Sequence, residues 1–349
     1  MRLVTRLRLM KRWIMKVFLI KEKSGVKVRI PFHVKLKYNL MGFTDFQYVI
    51  FDLKHNDHHD YISMWERYRL EDLDGEFASL LGQKLLFART FGQDIHIPTI
   101  FGWMSHGRLV DPKDGKRSVD LIKILQQHQE IIAKPNHSVG GGKGIIRIKL
   151  YQDKLLFGDH EVNADKVEEE LKKYEDYLFV QVIHAHEYSK IVYPGTANTM
   201  RIVTVMNDER NDAEVLFAFH RFGSHNSDPV DNMSKGGLFA YIDLESGCCG
   251  KAKQLYDIDK DYAAHPDTGA QIEGLRIPNW EGIIRYVRES HLKFPFYDFF
   301  AWDVVINEQG IPFILEINRG SDLSIQSLHP MRKDKLGQYM KKRGLLDNR

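Results

Sequence analysis

Three residues near the end of the chain have side-chain oxygens that can bind a metal ion, and their spacing is typical of a β-hairpin. Asp303 lies in the segment WDVVINEQGIPFILEIN, residues 302–318, which also contains Glu316 and Asn318. Apolar residues alternate on both sides of residues 307–310, so the segment predicts two paired strands joined by a turn. Asp303 would then lie near Glu316, and Asn318 would share a face with Glu316, two residues away.

This set of ligands predicts a magnesium site. Mg²⁺ is usually held by one or two carboxylates together with substrate phosphates, and an amide oxygen is an equally hard ligand. Acidic residues also occur on exposed hairpin faces, where they bind nothing. The flanking runs are too apolar for a solvated edge, however, and a buried unpaired carboxylate is costly. We therefore favour the metal site.

A second segment with chemical character is AKPNHSVGGGKGI, residues 133–145. A predicted strand brings Lys134 forward, and the following loop contains Ser138, Gly140, Gly141, Gly142, Lys143 and Gly144. Glycine lets successive backbone N–H groups approach a ligand closely, which suits phosphate oxygens. The loop is not a Walker motif, because it lacks the GK-[ST] ending that opens a helix. With the acidic hairpin, it predicts a nucleotide site covered by a glycine-rich lid.

Two arginines accompany otherwise apolar strands. Arg201 precedes the run IVTV, and Arg221 follows the alternating run LFAFH. Charged groups are rarely buried without partners. A guanidinium at such a position is therefore not expected to be idle.

The order and spacing of several segments resemble the ATP-grasp superfamily, and within it ligase-like proteins associated with sugar transfer and related to α-L-glutamate ligases. The resemblance covers residues 80–330. Its anchors are QKLLFARTFGQDIHIP at 83–98, the KP–GGGKG segment, FVQVI at 179–183, NTMRIVTV at 198–205, FAFHRFG at 217–223, DNMSKGG at 231–237 and DVV–LEINRG at 303–320. The resemblance implies an α+β ATP-grasp fold, in which two α+β subdomains grip the nucleotide.

The expected organisation adds a helical or irregular N-terminal region to this fold. The predicted units are an N-terminal region at 1–80, a linker at 81–128, a lid subdomain at 129–185, a catalytic subdomain at 186–330 and a tail at 331–349. Strand candidates in the first unit are residues 26–30 and 48–51, without a clean βαβ start. Pairing should be mainly antiparallel, because short links join consecutive strands.

The resemblance also implies roles for residues that bind the nucleotide. Lys134 would contact the α-phosphate and the adenine side, and the glycine loop would cover the β- and γ-phosphates. Lys84, which opens a predicted helix, would either add a second positive contact or be a solvated residue of that helix start. The backbone of Gln181, Val182 and Ile183 would bind the adenine edge. Glu187, or alternatively His186, would bind the ribose.

The remaining implied roles concern the metal and the reacting groups. Asp303, Glu316 and Asn318 would hold one or two Mg²⁺ ions, with Mn²⁺ as an alternative. Arg201, and as a second candidate Arg221, would lie near the transferred phosphoryl group. Lys235 belongs to a loop beside the acceptor, and Arg319 would clamp a carboxylate.

The implied reaction is ATP-dependent ligation of a carboxylate to an amine through an acylphosphate. An amino acid and a sugar are the expected substrates, in polysaccharide or cell-surface biosynthesis. A kinase of a sugar or small molecule on the same fold, and a non-catalytic nucleotide-binding module, remain alternatives.

Composition narrows the partners and the location. The 349 residues carry a net charge of only +3, which argues against a nucleic-acid binder. The two cysteines, Cys248 and Cys249, are adjacent, so neither a metal site nor a disulfide framework is indicated and a cytoplasmic setting is expected. The histidine-rich run at 55–60 has no helix-face spacing and is interpreted as a polar loop rather than a metal site.

The N-terminal segment is strongly basic. Residues 2–21 contain seven basic residues and no acid, with an apolar stripe on a helical projection. The segment could contact a membrane surface peripherally, or it could be a first helix packed on its own domain, which we favour. Its longest apolar run is four residues, too short for a transmembrane span.

Overall fold

The computed structural model describes residues 29–137, 142–152 and 154–347, together with Leu7, Met10, Lys11, Trp13 and Ile14. The α-helices within residues 29–347 are α1 (Phe32–Leu40), α2 (Asp45–Ile50), α3 (Met64–Glu71), α4 (Ala78–Leu81), α5 (Lys84–Phe91), α6 (Leu121–His128), α7 (Val167–Leu171), α8 (Glu187–Lys190), α9 (Trp280–Leu292) and α10 (Lys335–Lys342).

The strands form two sheets of seven, and neighbouring strands pair antiparallel in both. They are β1 (Ile100–Ser105), β2 (Arg108–Val110), β3 (Glu130–Pro135), β4 (Ile146–Tyr151), β5 (Lys154–Phe157), β6 (His160–Val162), β7 (Tyr177–Gln181), β8 (Met200–Met206), β9 (Ala213–Phe222), β10 (Leu238–Ile242), β11 (Cys249–Gln254), β12 (Asp257–Tyr262), β13 (Phe299–Ile306) and β14 (Pro312–Asn318). The predicted α+β class with antiparallel pairing is confirmed.

The first sheet has the order β2-β1-β7-β3-β4-β5-β6. One face is covered by α6 and by the 164–174 segment, which bury a core around Leu125, Ile131 and Ala133. Side chains alternate along a strand, so Ile132 and Lys134 point to the opposite face. The predicted linker at 81–128 contributes β1 and β2 to this sheet.

The second sheet has the order β12-β11-β10-β9-β8-β13-β14 and is covered on both faces. Helix α9 packs on one face against Phe300, Trp302 and Val304. The C-terminal segment, including α10, packs on the other face against Phe299 and Ala301. Two covered faces explain why β13 is apolar almost throughout.

The described residues before β1 are helical, in agreement with the expected helical N-terminal region, but the strand predicted at 48–51 is wrong. Helix α2 occupies these positions because Thr44 and Gln47 form a capping box: Gln47 N–H donates to Thr44 Oγ1 at 3.2 Å, and Thr44 N–H donates to Gln47 Oε1 at 3.3 Å. The strand predicted at 26–30 lies largely outside the described residues. No helix in the described part of the chain has the length and apolar content needed to cross a bilayer.

A buried glutamate ties the N-terminal helices to the C-terminal tail. Glu66 on α3 is fully buried; one of its oxygens accepts from Arg332 Nη1 at 2.7 Å and from the Asp347 backbone N–H at 2.9 Å. Its other oxygen accepts from the N–H and hydroxyl of Ser63, both at 2.9 Å. One carboxylate therefore joins helix α3 to the C-terminal tail.

We expect Glu66→Gln to lower the free energy of unfolding by about 3 kcal/mol, because it leaves the guanidinium of Arg332 buried without a counter-charge. Urea denaturation at pH 7 measures the change. The control is Glu289→Gln on the exposed side of α9, which should cost under about 0.5 kcal/mol. Equal losses in the two variants would contradict the structural role of Glu66.

Candidate functional site

A cavity of about 410 Å³ lies between the two sheets. Its first wall is the face of the first sheet that α6 leaves open, represented by Ile132, Lys134 and Val180. Its second wall is one end of the second sheet, represented by Arg201 and Asp303. This volume is within the usual range for small-molecule sites, about 300–1,000 Å³.

Lys134 and Lys84 face this cavity side by side. Helix α5 begins at Lys84, where the backbone N–H groups of Lys84 and Leu85 donate to the carbonyl and the side chain of Asn136, at 3.0 and 2.9 Å. Since Asn136 follows β3 closely, these bonds hold the start of α5 against the end of the strand that carries Lys134. The predicted helix start at Lys84 is confirmed.

The electrostatic state of Lys134 is unusual. Burial lowers the pKa of Lys134 to about 8, and the charge of Lys84 acts in the same direction, while Glu316 opposes them. Burial also lowers the pKa of Lys84, again opposed by Glu316. In the described part of the chain, the ammonium group of Lys134 makes neither a hydrogen bond nor an ion pair, whereas its backbone pairs with β7. An ammonium in this state favours an incoming anion.

The acidic hairpin has the predicted register. Asp303 on β13 pairs with Glu316 on β14, and the chain turns through residues 307–311, where Gly310 has a φ of +81°. Glu316 and Asn318 both line the cavity beside Asp303. The three predicted metal ligands therefore lie together.

Asp303 is bound by both arginines that were singled out in the sequence. Arg201 Nε and Nη2 donate to Asp303 Oδ1 and Oδ2 at 2.5 and 3.0 Å, and Arg221 Nη2 lies 3.1 Å from Oδ1. Asn318 Nδ2 lies at 3.5 Å from Oδ2. Burial raises the pKa of Asp303, but the two arginines outweigh it, so the pKa lies below its ordinary value. All four acceptor positions of the carboxylate are in use.

Strand geometry explains why these charges meet. Asp303 and Arg201 are cross-strand partners, and Arg201 in turn pairs with Phe219, two residues before Arg221. Side chains two residues apart share a face, so all three charges project from the same face of the sheet. The covering C-terminal segment packs on the apolar part of this face, and the charged end borders the cavity.

Asp231 belongs to the same cluster and was not predicted. One of its oxygens accepts from the N–H and hydroxyl of Thr199 at 2.5 and 2.6 Å, and the other lies 3.9 Å from Arg221 Nε. Burial lowers the pKa of Arg221, but Asp303 and Asp231 raise it above its ordinary value. In the sequence, Asp231 appears only as the first residue of the family segment 231–237, and no periodic pattern distinguishes it.

A neutral histidine supports Arg221 from behind. His220 is fully buried, and burial lowers its pKa to about 3. Its Nε2 accepts from the hydroxyl of Tyr188 at 2.8 Å, and its Nδ1–H donates to the backbone carbonyl of Arg221 at 3.0 Å. This side chain positions the strand and is not a base at neutral pH.

The segment after β7 offers free backbone groups to the cavity. Gln181 N–H donates to the carbonyl of Thr99 at 2.9 Å. Within the described residues, the backbone groups of Val182 and Ile183 make no backbone hydrogen bond, and both residues line the cavity. The predicted adenine-binding segment is therefore at the cavity with donors and acceptors available.

The described part of the glycine lid crosses the cavity. Gly142 and Gly144 have φ values of +62° and +76°, which favour glycine. A Cβ on Gly142 would lie 3.0 Å from Val230, on a loop of the second wall. Gly142 and Lys143 line the cavity, whereas the predicted phosphate contacts at Ser138, Gly140 and Gly141 lie outside the described residues.

The described lining carries an excess of positive charge. Its cations are Lys84, Lys134, Lys143, Arg147, Lys190, Arg201 and Arg221, and its acids are Asp231, Asp303 and Glu316. Seven cations against three acids leave a formal charge of +4, which suits a polyphosphate. Arg147 and Lys190 have acidic partners beyond the lining, Glu130 and Glu308.

Several predicted residues do not line the cavity. Glu187 is exposed at the start of α8, and His186 caps that helix by accepting from the Tyr188 N–H at 3.2 Å. Lys235 and Arg319 are exposed beyond the lining. Their proposed roles would require movement of these side chains or loops.

Comparison with known proteins gives one match at the level of a family. The family described as sugar-transfer associated ATP-grasp matches residues 63–331, more than half of the chain. None of the curated protein sequences matched.

The matching solved structures are distant in sequence. The ATP-grasp ligase PsnB complexed with minimal precursor has 12% identity and a TM-score of 0.39, over 78% of this chain and 64% of that one. N5-carboxyaminoimidazole synthetase from Staphylococcus aureus complexed with ADP has 12% identity and a TM-score of 0.39, over 70% and 46%. L-amino acid ligase from Bacillus licheniformis has 11% identity and a TM-score of 0.39, over 78% and 49%. The chain thus spans less than two thirds of each of these three structures.

We expect Asp303→Asn to lower the free energy of unfolding by about 2–3 kcal/mol without nucleotide, because both arginines lose their shared counter-charge. The matched control is Glu316→Gln, which makes the same isosteric change across the hairpin and should cost under about 1 kcal/mol. Urea denaturation measures both. Equal costs would show that Asp303 does not anchor the arginines.

The pH dependence of this difference provides a second check. Because the pKa of Asp303 is lowered in the folded protein, its contribution is present above the unfolded value of about 4 and is lost as the pH falls through the folded pKa. The gap between wild type and Asp303→Asn should therefore be constant from pH 7 to about pH 4 and shrink below it. A gap that already closes between pH 7 and 5 would contradict this assignment.

Proposed function

Since the chain belongs to the sugar-transfer associated ATP-grasp family, we propose that it is an ATP- and Mg²⁺-dependent ligase that joins a carboxylate to an amine. The observation that carries the proposal is that Lys134 and the Arg201–Asp303–Arg221 cluster line the same cavity. The ammonium group of Lys134 has no hydrogen bond or ion pair among the described residues. One wall offers positive charge to phosphates. The other wall offers arginines to a reacting acid group.

The free backbone groups of Val182 and Ile183 suit the edge of an adenine ring, and the nearby Ile132 and Leu315 supply apolar lining. Lys134 and Lys84 then face the phosphates, where lysine acts as a compact point charge. The lid at Gly142 and Lys143 would close over them and exclude water, which would otherwise hydrolyse a reactive acyl intermediate.

Glu316 and Asn318 fit a hard cation, and Asp303 would join them by exchanging one of its arginine contacts. Mg²⁺ bound there would supply positive charge to the phosphate oxygens. The proposal includes one or two such ions, with Mn²⁺ as an alternative to Mg²⁺.

In the first step, a carboxylate oxygen of the substrate forms a bond to the terminal phosphorus of ATP, and the bond between that phosphorus and the leaving oxygen of ADP breaks. Arg201 and Arg221 stabilise the negative charge that spreads over the transferred phosphoryl group. Their ion pairs with Asp303 hold both guanidinium groups in place beforehand.

In the second step, an amine nitrogen bonds to the acyl carbon, the acyl carbon–oxygen bond breaks, and phosphate leaves with the amine proton going to solvent or phosphate. No side-chain nucleophile is needed. The expected substrates are an amino acid and a sugar or another small acceptor, and the family description is the support for that class. A cytoplasmic setting, with synthesis of a polysaccharide or cell-surface polymer, belongs to the same proposal.

The experiment is a turnover screen of the purified chain with ATP, Mg²⁺ and pools of amino acids, uronic acids and amino sugars. ADP and free phosphate are measured together, and mass spectrometry identifies the product. A ligase yields ADP and phosphate in equal amounts with an amide. ADP with a phosphoester and no free phosphate would identify a kinase, and nucleotide binding without turnover in every pool would favour a binding module.

The pKa of Lys134 predicts how nucleotide binding depends on pH. Phosphates require the protonated lysine, and the free protein loses this proton as the pH rises through about 8. Affinity for Mg²⁺–ADP should therefore fall about tenfold between pH 7 and 9, with proton uptake on binding near pH 8.5. Isothermal titration calorimetry in two buffers of different ionisation enthalpy measures both quantities.

The matched variant is Lys134→Arg, which keeps its charge throughout this range. Its affinity should change less with pH than that of the wild type, with the remaining dependence assigned to Lys84. A wild-type affinity that stays constant from pH 7 to 9 would show that Lys134 does not bind the phosphates.

A further inference from the structure

The charge of the chain is divided very unevenly. Residues 1–44 contain 12 of the 50 Lys and Arg residues but only one of the 47 acids, Glu22. This segment therefore has a formal charge of +11, and the rest of the chain has −8. The near-neutral total conceals a strongly basic N-terminal region.

Helix α1 in this region presents an apolar stripe to solvent. Phe32, Leu36 and Leu40 are four residues apart and are 78%, 43% and 80% exposed. The helix has no buried residue and no acid, and it carries Lys35 and Lys37. An apolar stripe normally faces a core, so this one lacks the cover that its pattern calls for within the described structure.

The described positions before α1 repeat this arrangement. Leu7, Met10 and Ile14 are helical, share one face by their spacing, and are each 45–52% exposed. Trp13 lies on a different face and packs edge-on against Trp65 on α3, with ring centroids 6.1 Å apart. The packed side of this segment is therefore not its apolar stripe.

Trp13 lies near the end of α1. Trp13 and Leu40 line the same hollow of about 370 Å³, together with Trp65. Large exposed apolar side chains beside a concentration of basic charge are the pattern of interfacial helices.

We propose that α1, with the described residues Leu7, Met10 and Ile14, forms a docking surface for an anionic lipid bilayer. Phe32, Leu36 and Leu40 would enter the boundary between headgroups and acyl chains, and the surrounding lysines and arginines would contact the headgroups. This inference is independent of the proposed ligase activity.

Charge and apolarity together favour a bilayer over other occupants. A second copy of this chain would bring a region of charge +11 against its own like charge. Nucleic acid would satisfy the charge but would leave the leucine and phenylalanine side chains without an apolar environment. A bilayer with anionic headgroups satisfies both requirements.

The test is co-sedimentation of the full chain with vesicles of phosphatidylcholine alone or mixed with 30 mol% phosphatidylglycerol. The partition coefficient for the anionic vesicles should exceed that for the neutral ones at least tenfold. For the anionic vesicles, the double variant Phe32→Ser/Leu40→Ser should lower the partition coefficient at least tenfold, and Lys37→Glu should lower it about fivefold. The control Tyr151→Ser/Phe296→Ser alters two exposed aromatic side chains elsewhere, 62% and 52% exposed, and should sediment like wild type.

Circular dichroism and thermal unfolding verify that each variant is folded before sedimentation. Wild-type protein that stays in the supernatant with both vesicles overturns the proposal. So does sedimentation that Phe32→Ser/Leu40→Ser leaves unchanged. A concentration-dependent dimer that these substitutions abolish, without any vesicle binding, would assign the surface to a second copy and overturn the proposal. Displacement of the protein from vesicles by a short DNA duplex that binds more tightly would assign the surface to nucleic acid and also overturn it.

Discussion

Three charged side chains must share one end of an apolar sheet face, and the arrangement of the whole site depends on how this is achieved. Removing a guanidinium or a carboxylate from water is unfavourable unless each group finds a partner with good geometry. Asp303 serves two guanidinium groups at once, because Arg201 binds it from the adjacent strand and Arg221 from the strand beyond. The three strands must therefore keep a single register, since a slip by one residue would turn each charge to the opposite, apolar face. The buried Thr199–Asp231 contact holds the same cluster from the loop side.

The opposite wall of the cavity follows a different principle. Lys134 lies on a strand whose alternate residues fill the core of the first sheet, so its direction is fixed by the packing of Ile131 and Ala133. Within the described residues its ammonium has no ion pair, and although Glu316 favours the charged form, burial lowers the pKa of Lys134 to about 8. A site that holds a cation in this state has already met the cost of orienting it, and an arriving anion gains the full interaction. The wall that carries Asp303 therefore holds its charges in fixed ion pairs. The wall that carries Lys134 presents a positive charge to an incoming anion.

The parts of this arrangement that the sequence predicted share a physical cause. The register of Asp303 with Glu316 follows from strand periodicity and a turn of known type, which are local properties. Interactions between distant segments were much harder to predict: Asp231 reaches Thr199 across 32 residues, and no pattern in either segment marks the contact. Strands β11 and β12 were not predicted because CGKAKQ and DIDKDY are too polar to show alternation. At residues 48–51, β-branched and aromatic side chains suggested a strand, but the capping box at Thr44 favoured a helix.

Residues that break the expected pattern of polar and apolar positions therefore point to functional sites. Charged residues in β8, β9 and β13 break the apolar pattern of a sheet that is covered on both faces, and they meet at the cavity. Helix α1 breaks the same rule in the opposite sense, with apolar residues where water should be. Local propensity and burial agree over most of the described chain, so each disagreement must be stabilised by something outside the pattern. At the cavity the compensating groups are visible as ion pairs. At α1 the described structure contains no such group, and the proposed bilayer would supply one.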